Sequence, residues 1–290
     1  MMKSNLTFQK FFYLLFFAFL VSCSGDEEAV ATNPVQTAPS NRILKFYGAD
    51  PSLTSPIVQN QRFTIAGGKV THYDFGAWAG QGDIAYSGDK IAKITTNYLS
   101  PVYSKVEFFF EYDNNVLKSI KGVYTGGTVG KINILRVFYA NNKVSRLIDS
   151  NYFDENDIIN DDGAASRQYA FTYSGENVTE VVHSLGNYSG ASGFVSSTHN
   201  PTVHTYEGYT DQKNPFSTFP FEFRIFLSSV LSSNYQLNSK NFPQKVIIKN
   251  PNSDITTMEA VFKSDSEGWI TAQHEPNNPV AKAVCLYETY

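Results

Sequence analysis

The sequence predicts an all-β fold: an antiparallel meander of repeated β-hairpins that forms a strongly curved sheet or a partly closed barrel, with one short helix near residues 219–232. Two observations lead to this prediction. A hairpin motif recurs along the chain, and the composition, with 18 Tyr, 23 Phe and 19 Gly in 290 residues, combines strand formers with turn formers. Serial hairpins favour curvature or closure, because closure removes exposed sheet edges.

The hairpin motif reads Tyr-x-(Gly/Asn)-(Asp/Asn/Glu)-x-apolar-x-x-apolar, and its copies recur at intervals of about 26 to 34 residues, which suits one hairpin and its connection. The third position is Gly or Asn, which tolerates a positive φ and lets the chain reverse tightly. The four copies cover residues 86–94, 112–120, 139–147 and 173–181.

The spacing of the apolar residues after each turn leaves one question open. In the second copy, Leu117 and Ile120 are three positions apart and would point to opposite faces of a regular strand. Either the returning strand carries a β-bulge, or both faces of the sheet are partly covered.

The N-terminal residues predict an exported, lipid-anchored protein. Lys3 and Lys10 precede an apolar run over residues 11–21 that is too short to span a bilayer, so residues 1–22 are predicted to be a signal peptide. The run ends in Leu-Val-Ser-Cys at Cys23, which resembles the lipobox of bacterial lipoproteins and implies lipidation of Cys23. The acidic residues that follow are similar to the export tag of Bacteroidetes surface lipoproteins. The resemblance implies an outer-membrane address facing the cell exterior, with the membrane as a partner.

Two further segments complete the predicted organisation. Residues 23–40 are acidic, contain Pro and lack aromatic residues, which predicts a flexible tether. Residues 41–290 are predicted to form a single β-hairpin-repeat domain, since about 250 residues suit one barrel or sandwich. If Cys23 is acylated, Cys285 has no partner for an internal disulfide, and we expect it to be a small buried hydrophobic residue.

The charge distribution argues against nucleic acid as a partner. The chain has 23 Lys and Arg against 27 Asp and Glu, a net charge of −4, and the basic residues are dispersed. A membrane-spanning barrel is the competing architecture. It is disfavoured because charged residues occupy both alternating positions of the predicted strands, as Glu107 and Lys118 show.

The densest acidic patch lies in residues 151–165. A hard cation such as Ca²⁺ binds clustered oxygen ligands. However, hydrophobic residues stand where an EF-hand loop needs oxygen ligands, so a solvated loop is favoured, and neither a metal nor another cofactor is expected. The weak metal-binding candidates in the patch are Asp154, Asp157, Asp161 and Asp162.

No motif in the sequence assigns a catalytic residue. Residues 186–193, rich in Gly and Ser, are expected to form a loop, and they lack the Gly-x-Ser-x-Gly pattern of a nucleophile elbow. The histidines occur singly, without the spacing of a metal-binding pair, so we expect them at the surface or hydrogen-bonded. They are His72, His183, His199, His204 and His274.

The one predicted helix follows from apolar residues at helical spacing over residues 219–231. Thr218 is predicted as its N-cap, and Pro220 suits its first turn. An apolar stripe of this kind more often packs against a sheet than forms a ligand groove, so the helix is expected to plug one face or end of the sheet.

A family resemblance rests on three features that occur together under a lipoprotein signal. They are the Tyr hairpins, a Lys-Asn-Pro-Phe element at 213–216 and a Ser-Ser-Asn-Tyr segment at 232–235. Together they resemble DUF4595-type lipoproteins of Bacteroidetes, and the hairpin unit alone is similar to YD-repeat proteins. The resemblance implies a curved-sheet or barrel-like fold at the outer membrane, but it implies no activity and no catalytic residues.

Three hypotheses about function remain at this point. The first is a non-catalytic binding or scaffold module whose ligand is unknown, with exposed aromatic residues such as Trp78 or Trp269 stacking on a glycan. The second is a glycan-active enzyme that uses paired carboxylates, from Glu107, Glu111 or the acidic patch. The third is an accessory subunit of an outer-membrane protein complex.

Overall fold

The computed structural model describes residues 41–49, 60–76, 80–97, 103–126, 131–153, 164–197, 200–232, 234–278 and 280–290. Eighteen strands in these residues belong to one sheet. The strands are β1 (Arg42–Gly48), β2 (Gln61–Ala66), β3 (Lys69–Asp74), β4 (Gln81–Ser87), β5 (Lys90–Asn97), β6 (Lys105–Asp113), β7 (Val116–Thr125), β8 (Lys131–Ala140), β9 (Lys143–Phe153), β10 (Ala164–Ser174), β11 (Asn177–Ser189), β12 (Gly193–Ser196), β13 (Thr202–Glu207), β14 (Lys245–Lys249), β15 (Ile255–Glu259), β16 (Val261–Ser264), β17 (Ile270–His274) and β18 (Ala281–Thr289).

The sheet is antiparallel and nearly closed into a barrel, as the sequence predicts. Strands β1 to β11 pair in chain order, and β18 pairs with β1. From β11 the sheet continues through β13 and β14 to β15, while from β18 it continues through β17 to β16. Only Ala260 separates β15 from β16, so the two strands at the ends of this pairing order are adjacent in the sequence.

Each repeated hairpin contains a β-bulge in its returning strand, which answers the question left open by the spacing. In β6–β7, Glu111 pairs with Ser119 and Tyr112 pairs with Leu117, so Lys118 is the extra residue. The offset places Leu117 and Ile120 on the same face, where both are buried. Hairpins β2–β3, β4–β5, β8–β9 and β10–β11 carry the same shift.

In three of the four repeats, the tyrosine hydroxyl forms a hydrogen bond to the previous hairpin. The Tyr112 hydroxyl donates a 2.8 Å hydrogen bond to the carbonyl of Ile91, the second residue of the preceding returning strand. Because the same geometry recurs, the repeat in the sequence reflects a repeated contact between hairpins. The equivalent bonds run from Tyr86 to Val70 and from Tyr139 to Leu117, each 2.9 Å.

The plug segment (residues 213–239) packs inside the curved sheet, which confirms the expected plug. It contains a 3₁₀ turn (Pro215–Thr218), the helix α1 (Phe221–Phe226), a π-helical turn (Leu227–Ser232) and a second 3₁₀ turn (Tyr235–Asn238). The rings of Phe223 and Phe226 are fully buried, and Phe226 lies 5.0 Å from Phe108 of β6 between ring centroids. The aromatic residues of the segment therefore form much of the core.

The predicted N-cap of this helix is wrong. Helix α1 begins at Phe221, and Pro220 occupies the cap position without a side-chain hydrogen bond. Thr218 instead donates to the carbonyl of Pro215 at 2.9 Å and accepts the backbone N–H of Leu44 at 3.0 Å. The Thr218 hydroxyl is therefore used to attach the plug segment to β1.

One other expectation is corrected by the strand pairing. Residues 186–193 are not a loop throughout, because Gly186 to Ser189 complete β11, where Gly186 to Tyr188 pair with both β10 and β12. The N–H of Ala260, between β15 and β16, donates to the carbonyl of Gln244. Cys285 is buried, as expected, and burial raises the pKa of its thiol to about 12. No helix in the described part of the chain has the length and apolar content needed to cross a bilayer.

Candidate functional site

The inner face of the sheet changes from apolar to polar along β8, β9 and β10. Cross-strand pairing arranges the side chains of this face in rows. The face is the inner one, because its apolar row belongs to the core that contains the plug segment. The successive rows are Val137–Leu147–Tyr169, then Leu135–Asp149–Arg167, then Asn133–Asn151.

A cavity of about 730 Å³ lies over the two polar rows. Its walls come from β7 to β11, and Ser229 of the plug segment lines one side. Buried aromatic side chains of the plug segment, such as Phe216, Phe223 and Phe226, belong to the core, so this polar cavity stands apart from the aromatic core. Its polar lining residues are Tyr124, Lys131, Asn133, Asp149, Asn151, Ser166, Arg167, Tyr169, Asn187, Ser197 and Ser229.

Asp149 is the acidic group of this lining, and its carboxylate is held by a neighbouring amide. Asn133 Nδ2 donates a hydrogen bond to Asp149 Oδ1, and the same nitrogen lies 3.4 Å from Asn151 Oδ1. Burial raises the pKa of Asp149, and the Asn133 hydrogen bond and the charges of Arg167 and Lys131 oppose that rise. The site therefore favours the neutral carboxyl more than water does.

Two cations flank Asp149 from the neighbouring strands. Lys131 of β8 places its Nζ 4.5 Å from the centroid of the Tyr124 ring, and burial lowers its pKa. Arg167 of β10 is the direct cross-strand partner of Asp149, and its side chain is exposed. The described lining therefore contains two cationic side chains and one carboxylate.

Tyr169, a lining residue of the cavity, belongs to an aromatic cluster. The Tyr169 ring stacks on His183 with centroids 4.8 Å apart and packs against Tyr235 of the plug segment at 5.1 Å. His183 Nε2 is buried and has no hydrogen-bond partner among the described residues. Burial lowers the pKa of His183, and the charge of Arg167 lowers it further. The neutral imidazole is therefore the favoured form.

The residues singled out from the sequence do not form this site. Cys23 lies outside the described residues, as do Asp154, Asp157, Asp161 and Asp162, so their predicted roles stay predictions. Within the described ranges, no group of three His, Cys, Asp or Glu side chains is arranged to hold a metal ion.

The proposed carboxylate pair is not brought to a common cleft. Glu107 alternates with core residues on β6, and it pairs with Lys93 at 3.0 Å and Lys105 at 3.1 Å. Hydrogen bonds from these two lysines lower its pKa. Glu111, on the same outward face, accepts a 2.6 Å hydrogen bond from Ser119. Neither residue lines the cavity.

The histidine and tryptophan expectations have mixed outcomes. His72 is partly exposed and lies 2.7 Å from Asp83, as expected. His274 is buried, and neither of its ring nitrogens has a hydrogen-bond partner, so the expectation is wrong for this residue. Trp269 is buried with Lys213 over its ring, so it offers no exposed stacking surface. His199 and Trp78 lie outside the described residues.

Sequence reasoning missed the cavity residues for a specific reason. The available signal was a polar residue in the middle of an apolar strand, such as Asn133 between Ile132 and Ile134. Bulges shift the alternation of the faces within the hairpins, as at Ser145 in the returning strand β9. The sequence alone therefore does not show that Asn133 and Asp149 point to the same side.

Comparisons with known proteins add a likeness in shape. Neither a family model nor a curated protein matches the chain. A porin-like protein from Bacteroides vulgatus is 12% identical over 86% of this chain and 98% of its own, with a TM-score of 0.46. A porin-like protein from Bacteroides uniformis is also 12% identical, over 89% of this chain and 100% of its own, with a TM-score of 0.38. At such identities and TM-scores, neither likeness bears on what this chain binds.

Proposed function

We propose that this protein is a non-catalytic binding module of the outer membrane, anchored through lipid on Cys23 and exposed to the cell exterior. The cavity over β7 to β11 holds its small polar ligand. The observation that carries this proposal is the polar lining of that cavity within a barrel otherwise packed with aromatic residues. Amides, hydroxyls and charged groups in a concave site fix the orientation of a bound ligand.

The charged outward face of the sheet supports the proposal that the domain is held beside the membrane. A lipid-facing barrel surface needs an apolar band. In contrast, Glu107 on β6 lies between Lys93 and Lys105 on the outward face, in a network of exposed or partly exposed ion pairs. The lipobox-like sequence at Cys23 and the resemblance to DUF4595-type lipoproteins agree with a lipid anchor as the means of attachment.

The chemistry of the cavity supports binding without turnover. Glycoside hydrolysis through paired carboxylates needs two carboxyl groups about 5 to 10 Å apart across the substrate. Among the described lining residues, Asp149 is the single carboxylate. Its partner Asn133 and its neighbour Arg167 are groups that orient a ligand rather than transfer protons.

The ligand-binding proposal is tested by thermal unfolding of the full-length protein in detergent, with a panel of oligosaccharides and peptides. A ligand at about 100 times its Kd adds about 2.7 kcal/mol to the free energy of unfolding. Ala165→Phe, which fills the cavity, should abolish the shift. Ala85→Phe adds the same ring at an exposed strand position and should keep it. A shift that survives Ala165→Phe would place the ligand elsewhere.

The anchor is tested separately. Cys23→Ser should release the protein from the membrane fraction, because lipidation supplies the membrane affinity. Protease added to intact cells should degrade the wild-type protein if it faces the exterior. Retention of Cys23→Ser in the membrane fraction would contradict the lipid anchor without affecting the cavity.

A further inference from the structure

The charges around the cavity favour an acidic ligand. Lys131 and Arg167 lie on the strands on either side of Asp149 and line the cavity with it. The Asp149 carboxylate already accepts a hydrogen bond from Asn133. A ligand carboxylate would face two cations in a partly enclosed site, where charge-assisted hydrogen bonds are stronger than in open water.

The amides beside these cations favour a ligand with many hydroxyl groups. Asn133, Asn151 and Asn187 come from three different strands and line the same cavity. Each amide both donates and accepts hydrogen bonds, which matches the hydroxyl group, since that group also does both. Ala165 is the cross-strand partner of Asn187, and its small side chain leaves the space between the amides open.

We propose that the ligand is an acidic saccharide, a sugar of the uronic acid type. Its carboxylate binds Arg167 and Lys131, and its hydroxyls bind the amides of Asn151 and Asn187, while Asn133 holds the Asp149 carboxylate. This inference rests on the proposed function and names the ligand class for the same cavity. A simple anion would use the two cations and leave Asn151 and Asn187 without a role, while a neutral sugar would use these amides and leave the cations without one.

The inference is tested by isothermal titration calorimetry on the full-length protein in detergent. The probes are short oligosaccharides of galacturonic acid, the matched oligosaccharides of galactose, and inorganic phosphate. The acidic oligosaccharide should bind about tenfold or more tighter than the neutral one, as expected for one charge-assisted hydrogen bond. Arg167→Gln should remove this preference. Arg62→Gln, the same change at an exposed position on β2 outside the cavity, should keep it.

Each contrary outcome has a distinct meaning. Equal affinity for the acidic and neutral oligosaccharides would overturn the inference while leaving the binding module intact. Phosphate binding as tightly as the acidic oligosaccharide would show an anion site and would also overturn it. If no saccharide binds, the inference fails, and the proposed function fails with it only if the thermal panel also shows no ligand.

Discussion

The side-chain amide of Asn214 donates a 2.8 Å hydrogen bond to the backbone carbonyl of Ser239, and this contact joins the two ends of the plug segment. The same nitrogen lies 3.2 and 3.3 Å from the carbonyls of Gln236 and Leu237, while the amide oxygen accepts the N–H of Phe216 at 3.0 Å. Asn214 is fully buried. The Lys-Asn-Pro-Phe element therefore works as an internal clasp that closes the plug segment.

Asn214→Ala should destabilise the fold strongly, because it leaves buried backbone groups without partners. We expect a loss of roughly 3 kcal/mol in the free energy of unfolding, measured by urea denaturation. Asn238→Ala is the matched control in the same segment, since among the described residues Asn238 donates only to Ser228 and Tyr235, and it should cost about 1 kcal/mol. Equal losses for the two variants would contradict the clasp.

The tyrosine bonds between hairpins make a second prediction. Tyr112→Phe removes the hydroxyl that donates to Ile91 while keeping the ring, so the free energy of unfolding should fall by about 1 kcal/mol. Tyr188→Phe is the control, because Tyr188 contacts Arg136 through its ring at 4.3 Å. It should change the free energy of unfolding by less than half of that amount. Thermal and urea unfolding of both variants measure the difference.

A partly buried ion pair between β5 and helix α1 of the plug segment makes a third prediction. The Glu222 carboxylate is buried on α1 and accepts a 2.7 Å hydrogen bond from Lys90, whose ammonium also lies 5.5 Å from the centroid of the Tyr112 ring. The negative charge of Glu222 adds to burial in raising the pKa of Tyr112. Lys90→Met should cost about 2 kcal/mol, because it leaves a buried carboxylate without its cation.

The double variant Lys90→Met with Glu222→Gln serves as the control for that pair. Replacing the carboxylate by an amide removes the unpaired charge, so the double variant should recover much of the stability that the single variant loses. Urea denaturation of the wild type, the two single variants and the double variant completes the cycle. Strictly additive losses would show that Lys90 and Glu222 are not coupled.

The hairpin order and the plug were predictable because local chemistry determines them. Turn residues such as Asn114 and Asn115 adopt positive φ values of 47° and 65°, and the apolar spacing marks both the strands and the helix. The helix cap was not predictable in the same way. The Thr218 hydroxyl is taken by contacts with Pro215 and Leu44, and Leu44 is distant in the sequence.

The cavity depends on relationships that a single sequence does not contain. Asp149 and Arg167 meet because β9 and β10 pair in one register, and a shift of one residue would place them on opposite faces. The acidic patch at residues 151–165 overlaps the connection between those two strands, and its composition alone made it a candidate site. The cavity-lining residues are dispersed over several strands and leave no local motif, so only the strand register brings them together.

The stacked pair of Tyr169 and His183 makes a final prediction about pH. Burial and the charge of Arg167 lower the pKa of folded His183 below its unfolded value of about 6.5. His204 has the same direction of shift, partly through the charge of His183, while burial shifts the pKa of Asp149 upward. Below about pH 6.5 the unfolded chain takes up a proton at His183 that the folded protein does not, so this residue makes stability fall as the pH falls.

His183→Gln should therefore weaken the loss of stability between about pH 7.5 and about pH 5.5. The effects of burial on His204 and Asp149 remain in the variant, so the difference between the two pH profiles reports His183 together with its charge interaction with His204. Urea denaturation of both proteins across this range measures the difference. Parallel profiles would mean that His183 takes up its proton equally in the folded and unfolded states. That result would contradict a neutral imidazole stacked against Tyr169, a lining residue of the cavity.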